Sequence, residues 1–432
     1  MDYKYKVSVI VPCYNSEKFL RETLDNLLAQ TLKDIQIVLI NDGSKDSTPQ
    51  IIAEYASRYG NILALSQANA GVSAARNNGI EHAEGKYISF LDSDDLYSEN
   101  ALESMYNALE STGSDLAICR IMRFGFGGNE FNPIVDEFAK EKTIDCYDKR
   151  LLWNFLPCNK CYRAQLLKES GVRFPHLRYS EDGAFFMQFV YTAQPKITGV
   201  FDAVMKYRRL TPEQGFSVSQ RIEYELVDHF AQSMDIVYSG AEKSFSSSNC
   251  ADKEGYLQEI LRKSYSALIN EFYRMLWRGD EETLALIGKK AEKYKSRMLP
   301  ETLQKCHAVI KDIGTPLFSK KEIAEKPFIS VIAKNAGKEF TESLKAQSMP
   351  VFELITAANG TENAVILPPK NFSSSAKKAA KGKITVRFSG RKPIGDARLF
   401  KVISLLKRNR IFGMLPDFAI KAGAVLFLKI KK

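Results

Sequence analysis

The sequence predicts an α/β fold: a mostly parallel sheet covered by helices, then a helical region, then a small second α/β domain. Three observations carry that reading. Short β-branched runs alternate with helical periodicity between residues 7 and 120, turn residues cluster where those runs end, and a segment near the C-terminus repeats the opening pattern. The domains expected are 1–220, 221–318 and 328–432.

The elements follow in order. VSVIVP at 7–12 reads as the first strand, residues 17–30 as an amphipathic helix and IQIVLIND as the second strand. Residues 47–59 read as a helix, NILALSQ as a strand and 74–82 as a helix leading into YISFLDSDD. Near-continuous apolar strands of this kind are buried on both faces, as in parallel sheets. The turn clusters Pro12-Cys13-Tyr14-Asn15, Asn41-Asp42-Gly43-Ser44 and Asp92-Ser93-Asp94-Asp95 all follow strands, where open α/β sheets bind ligands. Between residues 221 and 313 apolar residues recur every three or four positions, which predicts helices, with SFSSSN at 244–249 as an inter-helix loop.

The third region looks like a shortened second copy of the first. ESLKAQSMPVFELITAANGT at 342–361 lies without gaps over DNLLAQTLKDIQIVLINDGS at 25–44. Upstream, ISVI at 329–332 answers VSVI at 7–10; downstream, Gly382-Lys383 and ITVRFSGRK answer Gly85-Lys86 and YISFLDSDD. At the aligned positions Asp42 becomes Asn359, Asp92 becomes Ser389 and Asp94 becomes Arg391.

Composition narrows the class. With 45% hydrophobic and 26% charged residues the chain is globular rather than disordered. Seven cysteines without framework spacing argue against a secreted disulfide scaffold, and the N-terminus runs into a strand without a signal-peptide pattern, so a cytoplasmic protein is expected. The net charge of +10 is uneven: residues 320–432 hold 23 Lys and Arg against 8 Asp and Glu, while residues 1–319 carry −5. A basic tail suits a polyanionic acceptor or the inner face of an anionic membrane, touched peripherally. The most apolar stretch, 411–430, contains Pro416, Asp417, Lys421 and Lys429 and is not expected to span a bilayer.

VPCYN, INDGS, AARN, FLDSDD and SEDGAFF, in that order over the first 220 residues, resemble the family 2 glycosyltransferases of the GT-A (Rossmann-like) fold. The resemblance implies an inverting, metal-dependent enzyme that moves a sugar from a UDP-sugar to a hydroxyl of a glycan, teichoic-acid-like polymer or glycoprotein. It implies no nucleic-acid partner, and the oligomeric state stays open. GDP- or dTDP-sugar donors, or a non-catalytic scaffold for other transferases, are the alternatives.

The residues agree with that chemistry. Breaking an anomeric C–O bond to a diphosphate leaves negative charge that a divalent metal stabilises, and an Asp-rich strand end suits Mn²⁺ or Mg²⁺. By the resemblance, Asp94 binds the metal and Asp92 sits near the ribose, with Asp95 in support. Asp42 meets the nucleotide base beside Pro12, Tyr14 and Asn15, and Arg76 reaches the nucleotide. Asp182 takes the acceptor proton while Glu181 orients the acceptor. The Asn159-Lys160-Cys161-Tyr162-Arg163 segment is expected as an acceptor-site wall, and 207–219 as a loop closing over the diphosphate. That loop has no histidine to serve as a metal ligand, so either Arg208 and Arg209 supply its positive charge or the third protein ligand is missing.

Overall fold

The computed structural model describes residues 3–125, 128–210, 224–275 and 281–307, and five further strands between 329 and 430. The chain divides into two units, one of residues 1–221 and 228–260, the other of 222–227 and 261–432.

The first unit opens with β1 (Tyr5–Cys13), α1 (Leu20–Leu28), β2 (Ile35–Asp42), α2 (Thr48–Arg58), β3 (Ile62–Gln67), α3 (Val72–His82) and β4 (Gly85–Phe90). It continues with β5 (Leu96–Tyr97), α4 (Ala101–Thr112), β6 (Leu116–Gly125), β7 (Glu130–Phe131), α5 (Pro133–Phe138), β8 (Lys160–Arg163), α6 (Ala164–Glu169), α7 (Glu181–Ala193) and β9 (Ile197–Arg209). The sheet order is β3-β2-β1-β4-β8-β6-β9-β5, with β7 on β6. β3, β2, β1 and β4 are parallel; β8 runs against both β4 and β6, so the second half of the sheet is mixed.

Every residue of β2 is buried, as its unbroken apolar run requires. Helix α1 buries Leu20, Thr23, Leu24 and Leu27, one face at three- and four-residue spacing. It starts later than its pattern because Glu17 is engaged elsewhere: its carboxylate accepts from the Ser47 N–H (2.9 Å) and its own N–H donates to Asp46 Oδ2 (3.1 Å). α3 starts earlier than expected because Gly71, at φ 89°, turns the chain directly into the helix.

A polar pin crosses the central strands at the end away from the turn clusters. Ser8 Oγ donates to Gln36 Oε1 (2.5 Å) and accepts from the Gly85 N–H (2.8 Å), while Gln36 Oε1 also accepts from the Glu84 N–H (2.9 Å).

Helices α8 (Tyr224–Ser244), α9 (Lys253–Met275), α10 (Glu281–Lys295) and α11 (Pro300–His307) follow. The serine-rich run falls between α8 and α9, and the boundary between the two units falls inside α9. Ala231, Met234, Val237 and Ala241 form the buried stripe of α8. Tyr256 of α9 joins a ring cluster with Tyr147, Tyr191 and Phe245, and its hydroxyl bonds that of Tyr191 (3.1 Å).

The second unit contains a separate sheet of β10 (Ile329–Ala333), β11 (Phe352–Thr356), β12 (Ala364–Ile366), β13 (Ile384–Phe388) and β14 (Lys429–Ile430) in the order β12-β11-β10-β13-β14. β10 to β13 pair in parallel and β14 is antiparallel. Asn359, Ser389, Arg391 and residues 411–428 lie outside the described residues. Among the described residues, no helix is long and apolar enough to cross a membrane.

Candidate active site

β1, β2, β3 and β4 are parallel, so the turns that follow them share one edge of the sheet. Pro12 is buried in β1 opposite Ile40, whereas Tyr14 stands 49% exposed just beyond the strand. Asn15 takes a left-handed conformation (φ 49°); its Oδ1 accepts from the Lys45 N–H (2.8 Å) and its N–H donates to Ser44 Oγ (3.0 Å). The β1 and β2 turns are thereby tied together. Asp42 is buried and works as a loop anchor: Oδ1 accepts from Gln67 Nε2 and the Ala70 N–H, and Oδ2 from the Gly71 N–H, each at 2.9 Å. These bonds shape the entry to α3.

After β4 the Asp92-Ser93-Asp94-Asp95 turn is held from α1, where Thr23 Oγ1 donates to the carbonyls of Ser93 and Asp95 (both 3.0 Å). The end of β9 holds it from the other side. Arg208 donates its backbone N–H to Asp95 Oδ1 (2.7 Å), its Nε to the Asp94 carbonyl (2.7 Å) and a terminal nitrogen to Glu22 (2.8 Å). Its guanidinium also lies between the rings of Phe19 and Phe124. These contacts use Arg208 to fix the acidic turn, a task its sequence position did not announce. Burial, with Asp92 alongside, pushes the Asp94 carboxyl up to about 6, and burial beside Asp94 and Asp92 raises Asp95. Tyr207, expected at the start of the closing loop, lies instead in β9. Burial and the charges of Asp95, Asp92, Asp94 and Asp182 raise its hydroxyl.

Arg76 of α3 joins the two halves of the site. It is 3% exposed, with one terminal nitrogen 2.9 Å from Asp92 Oδ1 and the other 2.9 Å from Glu181 Oε1 and 3.7 Å from Asp182 Oδ1. The Phe174 ring covers it, 5.1 Å from ring centroid to guanidinium carbon. Both terminal nitrogens are therefore committed to carboxylates, which departs from the nucleotide-reaching role that the resemblance implied. A buried guanidinium needs paired charge, and three acidic groups converge to supply it.

Glu181 and Asp182 occupy the first turn of α7, where a helix N-terminus favours negative charge. Ser180 enters the helix in a left-handed conformation (φ 61°), and its carbonyl accepts from Ser233 Oγ (2.6 Å). Burial and the adjacent Glu181 raise the Asp182 carboxyl, against the opposing pull of Arg76.

The segment expected as an acceptor wall turns inward. Asn159, Lys160, Cys161 and Tyr162 are fully buried, and burial raises the thiols of Cys158 and Cys161, which leaves them poor nucleophiles. Of the expected closing loop at 207–219, residues 207–209 end the strand β9, and 211–219 lie outside the described residues.

The acidic turn fits a divalent cation. Asp95 Oδ2 is buried without a hydrogen-bond partner, and the Asp94 carboxyl is raised by burial and by Asp92 beside it. Carboxylate oxygens suit Mg²⁺ or Mn²⁺, ions that one or two carboxylates can hold together with substrate phosphates.

Residues 8–171 match the family model for glycosyl transferase family 2. Glycosyltransferase GlyG of Streptococcus pneumoniae is 32% identical over 215 residues, 47% of this chain and 70% of that protein. The chain belongs to glycosyltransferase family 2. The poly(ribitol-phosphate) beta-glucosyltransferase of Bacillus spizizenii is 31% identical over 55% of this chain and 37% of its own. The chain spans 30% of the length of glycosyltransferase GlyA of Streptococcus pneumoniae and 54% of that of EpsJ of Bacillus subtilis. The crystal structure of S. aureus TarS 1-349 covers 68% of this chain and 83% of its own at 24% identity and a TM-score of 0.53, a likeness of fold. The first unit thus has the GT-A fold of the family.

Proposed function

We propose that this family 2 protein is an inverting glycosyltransferase that moves a sugar from a UDP-sugar to a hydroxyl of a teichoic-acid-like polymer or related cell-surface glycan. The observation that carries the reading is the Arg76 bridge, which brings Asp92 of the strand-end turn and the Glu181-Asp182 pair of α7 onto one guanidinium. An acidic donor edge and a candidate base thereby face the same place.

In this reading Tyr14, Asn15 and Asp42 border the nucleotide, and Asp94, supported by Asp95, holds the metal. When bound, the metal neutralises charge on the departing diphosphate. Asp182 accepts the proton from the acceptor hydroxyl as that oxygen bonds the anomeric carbon and the bond from this carbon to the diphosphate breaks. Its raised carboxyl makes it a stronger proton acceptor once ionised, and Arg76 favours the ionised form. Glu181 shares that guanidinium and orients the pair.

A polyol-phosphate acceptor is supported by charge. Residues 320–432 carry 23 Lys and Arg against 8 Asp and Glu, which suits a polyanion more than a neutral glycan. The name of the poly(ribitol-phosphate) relative points the same way. The work of such an enzyme is cytoplasmic, with the basic region able to rest on the anionic inner leaflet. The test is UDP release from a panel of UDP-sugars with Mn²⁺, with and without ribitol-phosphate polymer. Release that is lost in Asp94→Ala supports the reading; no release from any sugar overturns it.

A further inference from the structure

Lys160 has no part in the steps above, yet it is the most completely enclosed cation next to the candidate base. Its side chain is fully buried, and its ammonium donates to the carbonyls of Asn154 (3.0 Å) and Leu156 (2.6 Å) and to Asn159 Oδ1 (2.9 Å). An ammonium has three protons to give, and here three oxygens receive them. Burying a charge is costly unless it is met in this way.

The identity of those oxygens matters. Asn154 and Leu156 flank Phe155, so the lysine grips the backbone on both sides of that ring. Phe155 in turn fills the space left by the missing side chain of Gly183: a Cβ there would lie 2.4 Å from its Cδ2. Gly183 directly follows Asp182 in the first turn of α7. A second contact reaches the same helix, because the ammonium lies 4.3 Å from the centroid of the Phe186 ring. The grip has a firm base: Asn159 Nδ2 donates to the Cys119 carbonyl (2.7 Å), Ser89 Oγ to the Lys160 carbonyl (2.8 Å) and Tyr97 Oη to the Cys158 carbonyl (2.6 Å).

We propose that Lys160 is a positioning residue: by holding residues 154–159 it presses Phe155 against Gly183 and so fixes where Asp182 meets the acceptor hydroxyl. A methionine of similar length would leave two carbonyls and an amide oxygen without their donor and free the segment to move. Displacing a reacting group by about 1 Å can cost about 10²-fold in rate while leaving distant binding contacts intact. The inference rests on Asp182 being the base.

The test uses the full chain and the UDP-sugar from which the wild type releases UDP fastest with Mn²⁺. Lys160→Met and, separately, Gly183→Ala should each lower kcat by about 10- to 100-fold with donor KM and calorimetric UDP affinity near wild type. The second variant displaces Phe155 from the opposite side and leaves the buried charge intact. If Lys160→Met lacks a thermal unfolding transition, Gly183→Ala alone decides. Wild-type turnover in the deciding variant, or UDP affinity lost in step with kcat, overturns the inference. Asp182→Asn separates the two failures: if it turns over normally the base reading falls and takes this one with it, whereas an inactive Asp182→Asn beside an active Lys160→Met removes only Lys160.

Discussion

The two sheets of this protein share a scaffold and differ in what is mounted on it. β3-β2-β1-β4 and β12-β11-β10-β13 are both parallel and connected in the same order. The pairings also correspond: Val7 faces Ile35 and Tyr87, and Ile329 faces Phe352 and Ile384. Beyond that core they diverge. The first sheet continues through β8, β6, β9 and β5, whose segments supply Lys160 and Arg208, while the second closes with the short antiparallel β14. At the aligned strand ends, Asp42, Asp92, Asp94 and Asp95 stand against Asn359, Ser389, Arg391 and Lys392 in the sequence. The strands give a platform, and chemistry depends on side chains at its rim.

That contrast is open to attack at several points. The largest effect should come from the metal: EDTA or Asp94→Asn should abolish UDP release, and Mn²⁺ should restore the chelated wild type. Full activity of Asp94→Asn in metal-free buffer would remove the difference assigned to the two rims. Next is the base, where Asp182→Asn should lower transfer by about 10²–10⁴-fold with UDP affinity unchanged. Collapsed affinity would make Asp182 a donor ligand instead.

Arg76→Met leaves Asp92, Glu181 and Asp182 without their shared cation and should destabilise the first unit by about 3–5 kcal/mol, the usual result of breaking a buried pair from one side. Denaturant unfolding measures it. In the basic C-terminal region of the sequence, Lys377→Glu, Lys378→Glu, Lys381→Glu and Lys383→Glu together should weaken binding to ribitol-phosphate polymer or anionic vesicles, most at low salt, without changing UDP release. Unchanged binding would make this region a packing module.

The last test concerns pH. Burial pushes the Lys160 ammonium down to about 7 from its ordinary 10.5. Between those values the unfolded chain holds a proton that the folded chain has released, so this residue's contribution to stability rises with pH across that window. Lys160→Met should flatten that part of the stability–pH curve, and a curve parallel to wild type would contradict the shift.

Much of the strand scaffold was legible because a parallel core leaves a continuous apolar signature, and α1, α2 and α3 fall within a few residues of their periodic patterns. The acidic turn was legible for a similar reason, since it lies within one short segment. Arg76 and Arg208 were harder. An arginine in sequence shows charge and reach but not direction, and these two turn toward partners on distant segments, Glu181 and Glu22. Lys160 was misplaced for the same reason: its neighbours in sequence suggested a wall, and only the fold supplies the carbonyls that draw it inward.

The Ser8–Gln36 contact has a consequence far from where it sits. Adjacent strands can slide, and a slip of one residue moves a strand end by about 3.3 Å and turns its side chains to the opposite face. For β1 against β2 such a slip would separate Asn15 from Ser44 and carry Asp42 away from the loop it anchors. By admitting one alignment only, a serine and a glutamine at the rear of the sheet set the machining tolerance of the donor edge at the front. In the backbone register of the second sheet the aligned positions, Ser330 and Glu353, are also paired.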